Sequence, residues 1–273
     1  MKETSGLRVA ALYDIHANAP ALRAVLDGLE RELVDLIVFG GDVVPGPLPA
    51  QTIELLRPLR DRAVFIRGNT DRWVVEAFDA LAGDADAGMF ERRPAAAWGA
   101  TTINRGQRDF LASFEASAVI DVDGLGPTLF CHGSPRSDQE LLTAITPARR
   151  WRPMLSGVEQ GTVVCGHTHS QFDCSLGSWR VINAGSVGMP FEKRSAAYWA
   201  LLGPDVELRR TDYDIEAAVP ELRAGGWPGA DDFLRRSLLE PADPVVVARA
   251  YEEEAEKVGI AGAAAGSLPA SGR

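Results

Sequence analysis

The sequence predicts an α/β fold, and three observations carry that reading. Short apolar runs recur through the first part of the chain and each stops at a turn bearing glycine, aspartate or histidine. Segments of helical period separate the early runs. After His169 the strand-like runs follow one another with no long helical segment between them.

Taken in order, residues 8–13 (RVAALY) form the first run and end at Asp14. The stretch over residues 19–32, with Leu22, Val25, Leu26, Leu29 and Leu33 at helical spacing, then predicts the first crossover of a βαβ unit. Residues 35–39 (DLIVF) run into Gly40-Gly41-Asp42. The loop Pro45-Gly46-Pro47-Leu48-Pro49 is stiffened by its prolines and leads into a helix over residues 50–56. Residues 63–66 run into Gly68-Asn69. Residues 72–114 read as helical but are broken at Gly83, Gly88, Pro94 and Gly99, with Trp73, Phe78, Phe90 and Trp98 along them. Two readings of this segment stand: helices covering the sheet, or a cap over the substrate. The runs at 128–131 and 162–165 end at His132 and at Gly166-His167. Residues 171–176, 179–183, 196–202 and 206–211 then read as strands of a second, more antiparallel sheet packed on the first. Helical pattern returns over residues 215–222, 233–239 and 245–258, where Glu252-Glu253-Glu254 reads as a solvated face. From Gly259 the Ala-, Gly- and Ser-rich sequence predicts a mobile tail.

The chemistry sits at the ends of the runs. All four histidines fall in short blocks: Asp14-Ile15-His16, Cys131-His132-Gly133 and Gly166-His167-Thr168-His169. Strand ends in an α/β sheet gather distant residues on one rim, where ligands bind. Imidazole and carboxylate donors without thiolate suit Mn²⁺, Fe or Zn²⁺. Two such ions about 3.5–4 Å apart acidify a bridging water and clamp phosphoryl oxygens. Asp42, with two carboxylate oxygens, is the natural bridge. Two aspartates against two divalent cations leave the cluster positive, so it attracts an anionic phosphate although the chain carries a formal net charge of −10. Cys131 and Cys165 abut the histidines but lie in apolar strand ends and read as core.

Composition fits this chemistry. With 273 residues and 46% hydrophobic content the chain can bury a large core. Three cysteines without framework spacing predict a reducing, cytoplasmic setting. Residues 1–6 are polar, and no apolar stretch reaches membrane-spanning length, so neither a signal peptide nor a membrane partner is expected. A pI near 5.0 argues against electrostatic wrapping of nucleic acid and favours a small phosphorylated substrate.

Read along the chain, the blocks are D-x-H, G-G-D, G-N-T-D, H-G and G-H-T-H, an order that resembles the calcineurin-like metallophosphoesterases. Asn183-Ala184-Gly185-Ser186-Val187 resembles the Asn-Pro-Gly-Ser-Val stretch of the small bacterial and archaeal phosphodiesterases in that superfamily, with Ala184 in place of proline. The resemblance implies a four-layer αββα sandwich of two mixed sheets flanked by helices. It implies a catalytic domain over residues 1–212, within which 72–115 is the helical cover or cap, followed by a helical extension over 213–258 and a tail over 259–273. It also implies the ligands: Asp14, His16 and His169 for one metal, Asn69, His132 and His167 for the other, and Asp42 for both. These seven are the expected catalytic residues, with Mn²⁺ foremost among the ions. Asn69, Arg72 and Arg194 are the expected substrate contacts. Many relatives carry histidine where this chain has Thr70, and threonine cannot act as a neutral-pH acid. Asp71 beside it is expected to orient such a ring were it installed. The implied function is dinuclear hydrolysis of phosphate esters, foremost as a phosphodiesterase on a small or nucleotide substrate. The alternatives are a protein phosphatase or dinucleoside polyphosphate hydrolase, and a non-enzymatic scaffold like the phosphoesterase-like subunit of the retromer coat. Seven filled ligand positions argue against the scaffold.

Overall fold

The computed structural model describes residues 6–81, 83 and 91–265, with side chains of the last helix as far as residue 257. Its core is two five-stranded sheets. Strands β1 (Val9–Leu12), β2 (Leu36–Phe39) and β3 (Ala63–Phe65) run parallel in the first sheet. In the second, β4 (Ser117–Val122) pairs antiparallel with β5 (Gly126–Cys131), which runs parallel to β6 (Thr162–Cys165). β8 (Trp179–Asn183) lies parallel to β6, and β7 (Phe172–Leu176) closes that edge antiparallel to β8.

The late strands depart from the sequence expectation. They do not form a sheet of their own. β9 (Ala197–Leu202) and β10 (Val206–Thr211) return to the first sheet, giving the order β10-β9-β1-β2-β3, while β7 and β8 complete β4-β5-β6-β8-β7. Burial decides the difference: β9 is buried at every position and takes a place between β1 and β10, with Ala10 opposite Leu201. β4 has no continuous apolar run, because its outer positions Ser117, Val119 and Asp121 are exposed, as suits an edge strand buried on one face only.

Alternation along the strands builds the four layers. Val9, Ala11, Tyr13 and Val38 point inward to meet Phe130, Val164 and Ile182 of the opposing sheet. Ala10, Leu12, Ile37 and Phe39 point outward, against Leu22 and Val25 of α1 (Ala19–Leu29) and Ile53 and Leu56 of α2 (Pro49–Leu56). On the far side Leu129, Val163 and Val181 meet Trp151, Met154 and Leu155 of α6 (Ala148–Leu155). Because each inner strand is covered on both faces, it reads as a continuous apolar run. Truncating a fully buried aromatic such as Phe130 to alanine costs about 3–5 kcal/mol.

Helix ends differ from the sequence pattern in both directions. Asn18 caps α1 by accepting from Ala21 N–H, and the helix stops at Leu29, leaving Leu33 83% exposed. The expected cover comprises α3 (Asn69–Leu81), α4 (Pro94–Thr102) and α5 (Arg105–Ala112). Its Val74, Ala77, Ala100 and Phe110 pack into the outer core of the first sheet. Gly88 and Phe90 lie outside the described residues. Among the described residues β10 is followed by α7 (Ile215–Ala224), α8 (Ala230–Leu234), which continues as a π-helical turn over Arg235–Leu239, and α9 (Pro244–Ala265). α9 runs past Gly259, where a tail was expected, through alanine-rich sequence of high helix propensity; residues 266–273 lie outside the described residues. The acidic triplet on α9 is divided too, with Glu253 and Glu254 exposed and Glu252 turned into the protein. Among the described residues no helix is long and apolar enough to cross a membrane.

Candidate metal centre

Five of the expected ligands occupy backbone conformations that side-chain-bearing residues rarely adopt. Asp14, His16, Asp42, His167 and His169 have φ of 53°, 44°, 52°, 67° and 58°. Each such residue costs about 1–3 kcal/mol and persists only where its surroundings fix it. Here they do. Asp14 N–H donates to Gly41 O at 3.0 Å, His16 N–H to Asp42 O at 2.9 Å and Gly188 N–H to Asp14 O at 3.0 Å. Strain gathered at one rim of both sheets marks a site rather than a turn.

The loops bring the residues into two groups. Asp14, His16 and His169 form one, and Asp42, His132 and His167 the other, with the donor atoms of each group within 4.8 Å of one another. Asp42 lies between them: its Oδ2 is 3.8 Å from His16 Nε2 and its Oδ1 is 3.4 Å from His132 Nε2. Asn69, at the start of α3, places its Oδ1 3.2 Å from His132 Nε2. The chain comes close at Gly68, where a Cβ would overlap the Asp42 carboxylate. A Cβ on Gly166 would likewise meet Asp14 Oδ2.

Hydrogen bonds aim the rings. His132 Nδ1 donates to Gly40 O at 2.9 Å and His169 Nδ1 to Met189 O at 2.7 Å, which turns both Nε2 atoms toward the groups. His16 and His169 face each other with their Nε2 atoms 3.1 Å apart. Burial, then the neighbouring His169, pushes His16 down to about 4; burial and His132 do the same to His167, also about 4. Both are therefore neutral ligands at neutral pH. His132 behaves oppositely: burial disfavours its charge, but the Asp42 and Asp14 carboxylates outweigh burial and push it up to about 10. In the protein alone, a proton on His132 stands among acidic groups where a cation would neutralise them.

These residues fit a pair of divalent cations. Asp14 Oδ1 is buried and has no hydrogen-bond partner, while both Asp14 and Asp42 are held ionised by the surrounding imidazoles against the opposing effect of burial. An ionised, buried, unpaired oxygen is costly unless a cation meets it. The acceptor-rich set of imidazole, carboxylate and amide oxygen is that of a hard or borderline metal.

Several supporting residues were not legible as such from the sequence. Asp71 does not stand ready to orient a ring at position 70: its Oδ1 accepts from Val44 N–H at 3.1 Å and its Oδ2 from Gly68 N–H at 3.0 Å, tying two ligand loops together. Burial and then Asp42 push its carboxyl up to about 7. Thr70 Oγ1 donates to Val44 O at 2.5 Å, so the hydroxyl is turned to the backbone. The Asn183–Gly188 block serves as a brace: Asn183 Nδ2 donates to Gly166 O at 2.7 Å and Ser186 Oγ to Asp14 O at 2.7 Å. Of the expected phosphate contacts, Arg72 forms ion pairs with Asp138 and Glu76, and Arg194 pairs with Asp212 at an exposed position. A cavity of about 940 Å³ opens beside Asn69 and His167 and continues past Trp73 and Met154 to Tyr251. Neither Arg72 nor Arg194 is among the residues that line it.

A strand-end centre of two histidine and aspartate groups within an αββα sandwich defines a class, and comparison with known proteins agrees with it. The Calcineurin-like phosphoesterase superfamily domain matches residues 7–203. An uncharacterized protein of Methanocaldococcus jannaschii is 27% identical over 252 residues, covering 84% of this chain and 98% of that protein. The crystal structure of a metallophosphoesterase from Sphaerobacter thermophilus superposes with a TM-score of 0.65 at 26% identity, covering 85% of this chain and 100% of that one. A hypothetical protein from Pyrococcus horikoshii OT3 shares the fold with a TM-score of 0.69 at 20% identity, covering 81% and 94% of the two chains. The chain belongs to the calcineurin-like phosphoesterase superfamily, and its reaction class is phosphoric ester hydrolysis.

Proposed function

We propose that this protein is a dinuclear, Mn²⁺-dependent phosphodiesterase acting on a small or nucleotide diester in a reducing, cytoplasmic setting. The observation that carries the reading is the gathering of four histidines, two aspartates and an asparagine around two adjacent donor groups at the mouth of one cavity. Asp14, His16 and His169 would hold one ion, Asn69, His132 and His167 the other, with Asp42 serving both. Bound there, the two ions would acidify water and offset charge growing on the phosphoryl oxygens. The protein's own part is to hold the donors rigid, through the strained loops and their cross-braces, so that little reorganisation accompanies the reaction. Asn69 would contribute both to the second ion and to the substrate.

Position 70 bears on the leaving group. Thr70 offers no neutral-pH acid, and its hydroxyl already serves Val44 O. Asp71 is buried and bound to two backbone N–H groups, so it does not take over that role. A leaving group that departs without a proton from position 70 suits activated or weakly basic alcohols. The reducing setting is supported by three free cysteines, of which Cys131 and Cys165 are buried; burial pushes the Cys131 thiol up to about 12.

The test is to load the purified protein with Mn²⁺, count bound metal, and compare bis(4-nitrophenyl) phosphate with 4-nitrophenyl phosphate and a panel of nucleotide diesters. Two ions per chain and faster diester turnover, abolished by chelation, are expected. Preference for the monoester or for dinucleoside polyphosphates would replace the diesterase reading. Metal binding without turnover of any ester would replace the enzymatic one.

A further inference from the structure

The last helix lies beyond the part of the chain that the family domain matches, yet it forms a wall of the metal cleft. Its internal anchor is Glu252. Glu252 Oε1 accepts from Thr143 Oγ1 at 2.8 Å and from Thr146 Oγ1 at 2.6 Å, and its Oε2 pairs with Arg150 at 2.5 Å. The Glu252 and Arg150 side chains are only 14% and 17% exposed, so this is an internal anchor. One turn on, Glu256 pairs with Arg149. The helix is thereby tied to the loop before α6 and to α6 itself.

The residue next to that anchor, Tyr251, lines the cavity together with Asn69 and His167. Its ring lies 6.3 Å from that of Phe191, which in turn stacks on His169 at 5.0 Å, so an aromatic chain leads from the helix to the first donor group. Among the described residues the Tyr251 hydroxyl has no hydrogen-bond partner. Burial, followed by the charge of Asp14 and others nearby including Asp42, raises its pKa, so it stays a neutral donor across the working pH range. On another wall of the cavity the Trp73 ring is covered by the Arg93 guanidinium at 4.2 Å. An unpartnered phenol donor in a cavity beside the metal groups calls for a ligand with an acceptor oxygen.

We propose that Tyr251 is a substrate-binding residue supplied by the C-terminal helix, its phenol donating a hydrogen bond to a phosphoryl oxygen of the ester held at the metal centre. The proposal rests on the phosphoesterase reading of that centre. It gives the extension after β10 a function: the helix completes the substrate pocket rather than decorating the catalytic domain. The phenol acts as a hydrogen-bond donor and not as a proton donor, so it leaves the dependence on leaving-group basicity to the metals and position 70.

The experiment is Tyr251→Phe in the full-length protein, which keeps the ring against Phe191 and removes one hydroxyl. Inorganic phosphate is titrated calorimetrically into Mn²⁺-loaded wild type and variant, and kcat/KM is measured on bis(4-nitrophenyl) phosphate. A hydrogen bond to a charged group corresponds to a loss of about 10- to 100-fold. A loss of that size in phosphate affinity or kcat/KM, with bound metal and melting temperature unchanged, is the expected result. Unchanged affinity and turnover overturn the assignment of Tyr251 while leaving the enzymatic reading in place, and so does a loss explained by reduced metal content. If metal-loaded wild type binds no phosphate and turns over no ester, the phosphoesterase function itself falls, and the tyrosine's role with it.

Discussion

Asp42→Asn tests the centre at its most connected point. The substitution keeps the shape of the side chain and one acceptor oxygen, which can still take the Thr70 N–H bond of 2.9 Å, but removes the charge and one of the two oxygens that face the donor groups. In the metal-free protein the consequence is read at His132. At the 3.4 Å between Asp42 Oδ1 and His132 Nε2, the Coulomb attraction is about 5 kcal/mol at an effective dielectric constant of about 20. Since about 1.36 kcal/mol corresponds to one pH unit, losing it should bring His132 from about 10 down to about 6–7. The sign follows from the cause: the carboxylate favours the charged ring, so its removal lets burial favour the neutral one. Histidine ring-proton shifts followed by NMR against pH in chelator-treated protein report this directly. In loaded protein both ions lose a shared ligand, and affinity at each should fall at least about 100-fold, or about 2.7 kcal/mol, with most turnover lost. Elemental analysis after dialysis measures the first and diester hydrolysis the second. A variant that retains two tightly held ions and near-native turnover would refute the assignment of Asp42 as the shared ligand.

Other outcomes follow from the same geometry. His132→Ala and His167→Ala, far apart in sequence but with ring centroids 5.0 Å apart, should each lower affinity for the same ion by at least about tenfold; metal titrations showing that they affect different ions would separate them. Asp71→Asn should destabilise the fold by about 1–3 kcal/mol, because an amide can accept only one of the two backbone N–H bonds and turns its own donor toward the other. Urea melts would show this, and an unchanged midpoint would count against the loop-tying role. Thr70→His should flatten the dependence of rate on leaving-group pKa across a diester series, with gains up to about 100-fold for alkyl leaving groups. Equal slopes in wild type and variant would mean that protonation from position 70 does not limit the reaction.

The parts of this protein that were legible from sequence are those with a local signature. A strand covered on both faces must be apolar at every position, so residues 9–12, 36–39 and 162–165 declared themselves, and so did the ligand blocks that follow them. Partner choice among strands carries no such mark. β9 looks like any buried strand, and its place between β1 and β10 depends on a gap in the first sheet that only the assembled fold defines. The same holds for side chains whose role is set across space. Asp71 had been placed in a ligand block, yet its task is to tie two loops through their backbone N–H groups. Tyr251 sits beside the acidic triplet Glu252-Glu253-Glu254, where nothing about its neighbours in sequence announces the cleft. The positive φ values of the aspartates and histidines were equally silent, since no residue type demands them; glycine at positions 41, 68 and 166 was the audible part, marking where the chain comes close.

The donor groups and most of the cavity beside them are built from different parts of the fold. The donor loops rise from both sheets and are cross-braced by Ser186, Asn183 and Asp71, so moving one ligand would disturb strands on two layers. Such a centre tolerates little change, and its buried carboxylates and strained backbone make sense only with cations in place. The cavity is built differently. Beyond Asn69 and His167, its walls come from Trp73 of α3, from the loop before α6, from α6 and from α9. Glu252 shows how: one internal ion pair with two hydroxyl bonds attaches a separate helix to the catalytic body and sets the residue beside it at the mouth of the site. If Tyr251 binds the ester as proposed, the sandwich would carry the chemistry and the attached helix would contribute to the choice among phosphate esters.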